Sequence, residues 1–167
     1  MSKFGDRGID TGRGTVADPV NVDDLYQFLE GTWQFERKVH DSILNQEGDC
    51  IGVAWFSADE PHNGQDTLAY REEGGLEMGE IKTAVDHEFR YAFPANSMAE
   101  VRFPDGRFYH VLDLTKGIVR VEHQCGDDTY HGIFRVLAPQ AWLSVWRVMG
   151  PETSQVITTR YIRVNPN

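Results

Sequence analysis

Hydrophobic and polar residues alternate along the chain from Trp33 onward. This period of two is typical of β-strands, because successive side chains of a strand point to opposite faces of its sheet. Residues that favour tight turns separate the alternating runs. The predicted strands cover residues 33–40, 50–57, 66–73, 76–83, 87–93, 98–103, 107–114, 117–125, 128–137, 140–149 and 154–164. The predicted turns lie at Gly48-Asp49, Asn63-Gly64, Gly74-Gly75, Pro104-Asp105-Gly106, Lys116-Gly117, Gly126-Asp127-Asp128 and Gly150-Pro151.

Many short strands without helical segments between them predict an all-β fold. The most economical arrangement is an antiparallel up-and-down β-barrel of roughly 8–10 strands, because closing the sheet removes its exposed edges. A two-sheet sandwich is the alternative. A short helix is predicted before the strands, with Asn21 as its N-cap and Gly31 at the C′ position. Its apolar stripe consists of Val22, Leu25, Phe28 and Leu29.

Ionisable side chains fall on the apolar face of four predicted strands. They are Arg37, Glu72, His110, and the pair His123 and Cys125. Burying an unpaired charge in a dry core is strongly unfavourable, so this pattern predicts an interior cavity with a partly polar wall. The apolar residues that share these faces are Trp33, Phe35 and Val39, then Leu68 and Tyr70, then Phe108, Leu112 and Leu114, and finally Val119 and Val121.

Tyrosine and tryptophan suit the wall of such a cavity, because each combines a large apolar ring with a hydrogen-bonding group. We therefore predict a small-molecule site inside the barrel. The predicted ligand-binding residues are Arg37, Tyr70, Glu72, Tyr91, His110, His123, Cys125, Tyr130, Trp142, Trp146 and Tyr161.

The pair formed by Arg37 and Glu72 has two interpretations. The planar guanidinium of Arg37 suits a ligand carboxylate, which it can bind through two parallel hydrogen bonds. The two side chains can equally form a structural ion pair that ties two strands together.

Three further residues, His110, His123 and Cys125, come close together if their strands pair through the Lys116-Gly117 turn. Such donors suit a zinc ion. A histidine could also act as an acid or base with Glu72 or a tyrosine, or could activate the thiol. A structural hydrogen-bonded network is the remaining interpretation.

The formal net charge of −10 argues against nucleic acid or an anionic membrane as a partner, since both require a basic surface. No apolar run is long enough to predict a membrane-spanning helix, and residues 1–14 lack the apolar centre of a secretory signal. We therefore predict a cytoplasmic protein in which Cys50 and Cys125 form no disulfide. Residues 1–18 are predicted to form a flexible leader, and residues 19–167 a single domain.

The segment from Phe28 to Trp33 is a short predicted helix followed by Gly-x-Trp at the start of the first strand. It resembles the opening of the calycin superfamily, which includes lipocalins, fatty-acid-binding proteins and the haem-binding nitrobindins. The resemblance implies that Trp33 closes one end of the barrel and that Arg160 or Arg163 packs on it. Unlike nitrobindins, the chain has no histidine after His131, so haem would have to use His110 or His123.

The chain more closely resembles an uncharacterised bacterial and fungal family of small lipocalin-like domains. That resemblance implies an up-and-down barrel with an interior site and brings no established activity. The residues that carry it are Leu29-x-Gly31-x-Trp33 with Arg37 and Asp41, Gly52-x-Ala54-x-Phe56, Tyr70-x-Glu72-x-Gly74, Asp105-Gly106-Arg107-Phe108-x-His110-x-Leu112-x-Leu114, His123-x-Cys125-x-Asp127-x-x-Tyr130-x-Gly132, and Trp142-x-x-x-Trp146-x-x-x-Gly150-Pro151.

These patterns together predict an intracellular barrel that binds a small, partly hydrophobic organic ligand in a polar-lined cavity. The alternative is an acid–base enzyme of the isomerase, cyclase or lyase type. It would use His110 or His123 as the base and Glu72 or a tyrosine as the acid. No resident cofactor is predicted, zinc and haem being the alternatives, and self-association is left open.

Overall fold

The computed structural model describes residues 16–165, in which one short helix precedes ten β-strands. The helix α1 covers Leu25–Leu29. The strands are β1 Gly31–Asp41, β2 Gln46–His62, β3 Gln65–Met78, β4 Ile81–Ala95, β5 Met98–Arg102, β6 Phe108–Asp113, β7 Ile118–Cys125, β8 Asp128–Ala138, β9 Ala141–Met149 and β10 Ser154–Arg163. Most of the predicted leader lies outside the described residues, so the division into a leader and one domain stays a prediction.

The ten strands form one antiparallel sheet in the order β6-β5-β4-β3-β2-β1-β10-β9-β8-β7. The first and last strands are therefore neighbours, and the sheet curls into a nearly closed barrel. Its two edge strands are β6 and β7, and within residues 16–165 no ladder of hydrogen bonds joins them. The predicted all-β antiparallel barrel with a short N-terminal helix is confirmed.

Two predicted turns are wrong, because Gly48-Asp49 lies inside β2 and Gly74-Gly75 inside β3. Gly74 is required by packing, since a Cβ on this residue would lie 3.0 Å from the ring of Phe35. The chain reverses instead at Asn45 and Gly79, which both have positive φ angles. The predicted strand 66–73 therefore continues to Met78 in β3, whereas the predicted strand 76–83 contains the reversal at Gly79 and ends in β4.

The helix begins at a different residue from the one predicted. The side chain of Asp24, not Asn21, is the N-cap, and it accepts a hydrogen bond from the backbone N–H of Gln27 at 3.0 Å. Residues 20–22 lie outside the helix, and two of their backbone N–H groups bond to the barrel instead. The N–H of Val20 donates to Val136 O, and that of Val22 donates to Leu114 O.

The helix covers one end of the barrel, which we call the closed end. Trp33 is fully buried there, and its indole N–H donates to Leu29 O at 2.8 Å. The guanidinium of Arg163 lies 4.2 Å from the centre of the Trp33 ring and donates to Glu30 O at 2.8 Å. Of the two arginines that the calycin resemblance offered, Arg163 is the one that packs here, whereas Arg160 is exposed.

Candidate functional site

The barrel encloses a cavity of about 680 Å³. Its wall reaches the turns opposite the closed end, where Val39, Met78 and Gln155 line it. This volume is within the range of cavities that hold drug-sized molecules. The barrel therefore contains an interior cavity, as the ionisable residues on the apolar faces of the strands predicted.

Nine of the eleven predicted ligand-binding residues lie in the cavity wall, and whether they contact a ligand stays a prediction. His123 and Cys125 are the other two. His123 packs against the rings of Tyr109 and Phe103, with ring centres 4.9 and 5.5 Å apart, and Cys125 is exposed. The nine wall residues are Arg37, Tyr70, Glu72, Tyr91, His110, Tyr130, Trp142, Trp146 and Tyr161.

The face assignment on β6 is wrong at one residue because of a β-bulge. Val101 pairs with His110, but the next residue of β5, Arg102, pairs with Phe108. Tyr109 is therefore an extra residue, and a bulge of this kind redirects side chains along its strand. Tyr109 and His110 both line the cavity, whereas Phe108, predicted to face inward, is 48% exposed.

The strand pairing that was predicted to bring His110, His123 and Cys125 together does not form, because β6 and β7 are the unpaired edges of the sheet. His123 pairs with Tyr130 on β8 instead. The N–H of Val22 takes the carbonyl of Leu114, so the N-terminal segment occupies the point where the two strands would begin to pair. Within residues 16–165, no group of three His, Cys, Asp or Glu side chains is placed to hold a metal ion.

A buried carboxylate organises the polar part of the wall. Glu72 is 2% exposed and accepts two hydrogen bonds from the guanidinium of Arg37, at 2.9 and 2.7 Å. The hydroxyl of Tyr70 donates to it at 2.7 Å, and Nδ1 of His87 lies 2.6 Å from its other oxygen. Nε of Arg37 donates to the Thr159 hydroxyl at 2.8 Å. Arg37 and Glu72 thus form an ion pair between two strands. The carboxylate of Glu72 takes the two parallel hydrogen bonds that the other interpretation assigned to a ligand carboxylate.

The ionisation of this pair follows from its contacts. Burial alone would raise the pKa of Glu72, but hydrogen bonds from His87 and Arg37 and the charge of Arg37 lower it to about 2. Burial alone would lower the pKa of Arg37, but its hydrogen bonds to Glu72 raise it above the ordinary value. Both groups are therefore charged near neutral pH, and each compensates the other.

Sequence reasoning missed His87, although its signal was present. This histidine has the same parity on β4 as Tyr91, which was predicted to bind the ligand, and it pairs directly with Glu72 across the sheet. The false turn at Gly74-Gly75 hid that register. The side chain of His87 is 56% exposed, which places it between the cavity and solvent.

The half of the cavity towards the closed end is mostly aromatic. The indole of Trp142 stacks on Tyr161 with ring centres 3.8 Å apart and planes 6° apart. Phe134 stacks on the same indole, with ring centres 6.2 Å apart. Burial raises the pKa of Tyr161 and also that of Tyr91, so both hydroxyls stay protonated near neutral pH.

His110 is a neutral group in this aromatic half. Burial lowers the pKa of His110 to about 4, and the charge of His123 acts in the same direction. The backbone of Val111 opposes this effect only in part and does not reach hydrogen-bond geometry with the ring. Nδ1 of His110 and Nε1 of Trp142 are buried atoms without a hydrogen-bond partner among the described residues.

The model of a family of unknown function, DUF6314, matches residues 29–163. The fold is similar to that of an S-type phycobiliprotein lyase, CPES, from Guillardia theta, with 8% sequence identity and a TM-score of 0.69 over 89% of this chain and 95% of that chain. It is also similar to a protein of unknown function from the DUF3598 family of Nostoc punctiforme, with 12% identity and a TM-score of 0.57. That match covers 91% of this chain and 53% of the other. No curated protein matches the chain.

At such low identities the likeness concerns the fold alone. These matches show a β-barrel similar to that of the phycobiliprotein lyase, and the predicted resemblance to lipocalins is not confirmed. Within the described part of the chain, no helix is long and apolar enough to cross a membrane.

Proposed function

We propose that this chain, which belongs to the DUF6314 family of unknown function, binds a small, partly hydrophobic organic molecule inside its barrel. The observation that carries the proposal is the cavity of about 680 Å³. Its wall combines apolar and aromatic side chains with a few polar groups, which is the usual composition of a small-molecule site. A cytoplasmic location stays part of the proposal.

The internal compensation of charge supports binding over chemistry. To act as an acid, Glu72 would have to carry a proton, but its pKa is lowered to about 2 and its oxygens are engaged by Arg37, Tyr70 and His87. With a pKa of about 4, His110 is a weak base near neutral pH. The acid–base alternative is therefore the weaker of the two proposals.

Filling the cavity tests the proposal. Ser144 is 4% exposed and lines the cavity, so Ser144→Trp places a large ring in the binding space. Nile red, an uncharged fluorescent dye, serves as the probe. We expect its affinity to fall at least about tenfold in this variant, which corresponds to about 1.4 kcal/mol.

A matched control comes from the strand next to it. Thr158 lies on β10, one residue from the partner of Ser144, and its side chain is exposed. Thr158→Trp adds the same ring outside the barrel and should leave the affinity unchanged. Equal affinity in the wild type and Ser144→Trp would show that the dye does not use the cavity. Native mass spectrometry of freshly purified protein then reports whether a ligand is retained.

A further inference from the structure

Two polar atoms in the aromatic half of the cavity stand apart from the rest of the interior. Nε1 of Trp142 and Nδ1 of His110 are buried and have no hydrogen-bond partner among the described residues. Both side chains are 3% exposed and both line the cavity. Buried polar groups of proteins are normally paired, so each orphaned atom calls for an explanation.

Other buried polar groups of the barrel show that the fold can satisfy such atoms. The indole N–H of Trp33 donates to Leu29 O, and the Tyr70 hydroxyl donates to Glu72. The two orphaned atoms belong instead to residues whose side chains border empty space. A molecule in the cavity can therefore supply the partners that the protein itself does not.

The chemistry of the two atoms restricts what that molecule presents. An indole N–H is a donor only, so the partner of Trp142 must be an acceptor, such as a carbonyl oxygen or a ring nitrogen. A neutral imidazole has one donor and one acceptor nitrogen, so His110 accepts either kind of group.

The charges along the wall restrict the ligand further. Two oppositely charged side chains reach the cavity from its inner face, the guanidinium of Arg37 and the carboxylate of Glu72. Arg37 and Glu72 already compensate each other, and Asp86 and Glu88 are exposed on the face of β4 opposite to His87. A negatively charged ligand would lose its hydration inside the barrel, and the described wall residues offer no unpaired guanidinium or ammonium group to receive it.

We infer that the cavity selects an uncharged, planar aromatic or conjugated molecule, which presents a hydrogen-bond acceptor to Nε1 of Trp142 and a polar group to His110. Aromatic rings around these residues, including the Trp142–Tyr161 stack, favour a flat partner. The inference rests on the proposed function, since it requires that the cavity take up a ligand.

An isosteric pair of probes tests the contact with Trp142. Naphthalene and quinoline have the same shape, but quinoline carries a ring nitrogen that accepts a hydrogen bond and is uncharged at pH of about 8. Their affinities are measured by displacement of Nile red. We expect the ratio of quinoline to naphthalene affinity to fall at least about fivefold in Trp142→Phe, which keeps an aromatic ring and removes the donor.

Trp55→Phe is the matched control, because it makes the same change at a tryptophan of β2 that does not line the cavity. It should leave the ratio within about twofold of the wild type. The charge argument adds a third probe, 2-naphthoate, which should bind more weakly than naphthalene. In ¹⁵N-labelled wild-type protein, quinoline but not naphthalene should shift one indole N–H signal downfield, so the test does not depend on folding of the variant.

The outcomes separate this inference from the proposed function. If both probes displace the dye but the affinity ratio is the same in Trp142→Phe and no indole signal responds to quinoline, the inference is wrong while a binding cavity stands. Tighter binding of 2-naphthoate than of naphthalene would also overturn it. If Nile red and both probes fail to bind, the proposed function fails together with the inference.

Discussion

The closed end and the cavity wall each contain a partly buried arginine, and the two arginines are held by different groups. At the closed end, Arg163 lies on Trp33 and donates to backbone carbonyls of α1, so its charge needs no carboxylate. In the cavity wall, Arg37 is held by Glu72, which itself collects donors from Tyr70 and His87. The closed end is therefore a packed cap. The cavity has a balanced set of charges whose members depend on one another.

The largest expected loss of stability comes from a substitution in the packed cap at the closed end. Trp33→Ala should reduce the free energy of unfolding by about 4 kcal/mol, because it leaves a cavity in a fully packed site and removes the ring beneath Arg163. Trp146→Ala should cost about half as much, because part of that ring borders space that is already empty. Urea denaturation of both variants measures the difference. Equal losses would show that the two ends are packed alike.

Removing one partner of the Arg37–Glu72 ion pair should reduce the free energy of unfolding by slightly less than Trp33→Ala does. Glu72→Leu leaves the guanidinium of Arg37 buried without its partner, and we expect a loss of about 3 kcal/mol. The double variant Arg37→Met/Glu72→Leu removes both charges and should recover most of that loss. A thermodynamic cycle of the four proteins measures the coupling. If the double variant is no more stable than Glu72→Leu, the two charges do not depend on each other.

Acid should lower the stability of the protein in two successive ranges of pH, one for each buried group of the cavity wall. Glu72 has a folded pKa of about 2 against an ordinary 4.5, so its contribution is present above pH 4.5 and is lost as the pH falls towards 2. His110 has a folded pKa of about 4 against 6.5, so the folded protein binds fewer protons than the unfolded chain, and stability falls as the pH drops from 6.5 to 4. Each range should contribute roughly 2–3 kcal/mol.

Two variants assign these ranges. His110→Gln should flatten the stability curve between about pH 6.5 and 4, and Glu72→Gln should flatten it between about 4.5 and 2. The measurement is urea denaturation at a series of pH values. If His110→Gln keeps the wild-type slope in the upper range, burial does not hold the imidazole neutral.

Features that depend on neighbouring residues of the chain could be predicted from the sequence, whereas features that depend on contacts between distant strands could not. Strand periodicity is local, so the barrel class and the inward faces of Glu72 and Trp142 follow from it. The bulge at Tyr109 inserts one residue into the period of two, and nothing in the local pattern marks it. Gly74 was misinterpreted because its small size is required by Phe35, which lies on a different strand.

Strand pairing is encoded least directly. The predicted approach of His110 to His123 assumed that consecutive strands pair, as most do. The barrel instead leaves its gap between those two strands, where the N-terminal segment binds the carbonyl of Leu114. Likewise, the partnership of His87 with Glu72 depends on the register of β3 and β4, which Gly79 sets and the false turn concealed.

The smallest expected effect concerns how α1 is held over the closed end. Asp24→Ala removes the side chain that accepts the hydrogen bond from Gln27 N, and we expect a loss of about 1 kcal/mol in the free energy of unfolding. Asn21→Ala is the control, because Asn21 precedes the helix and is not its cap. Thermal denaturation of both variants measures the difference. A larger loss for Asn21→Ala would show that the helix begins at Asn21, as the sequence pattern predicted. Residues 20–22 could then not form the backbone hydrogen bonds to Val136 and Leu114 that are seen in the structure.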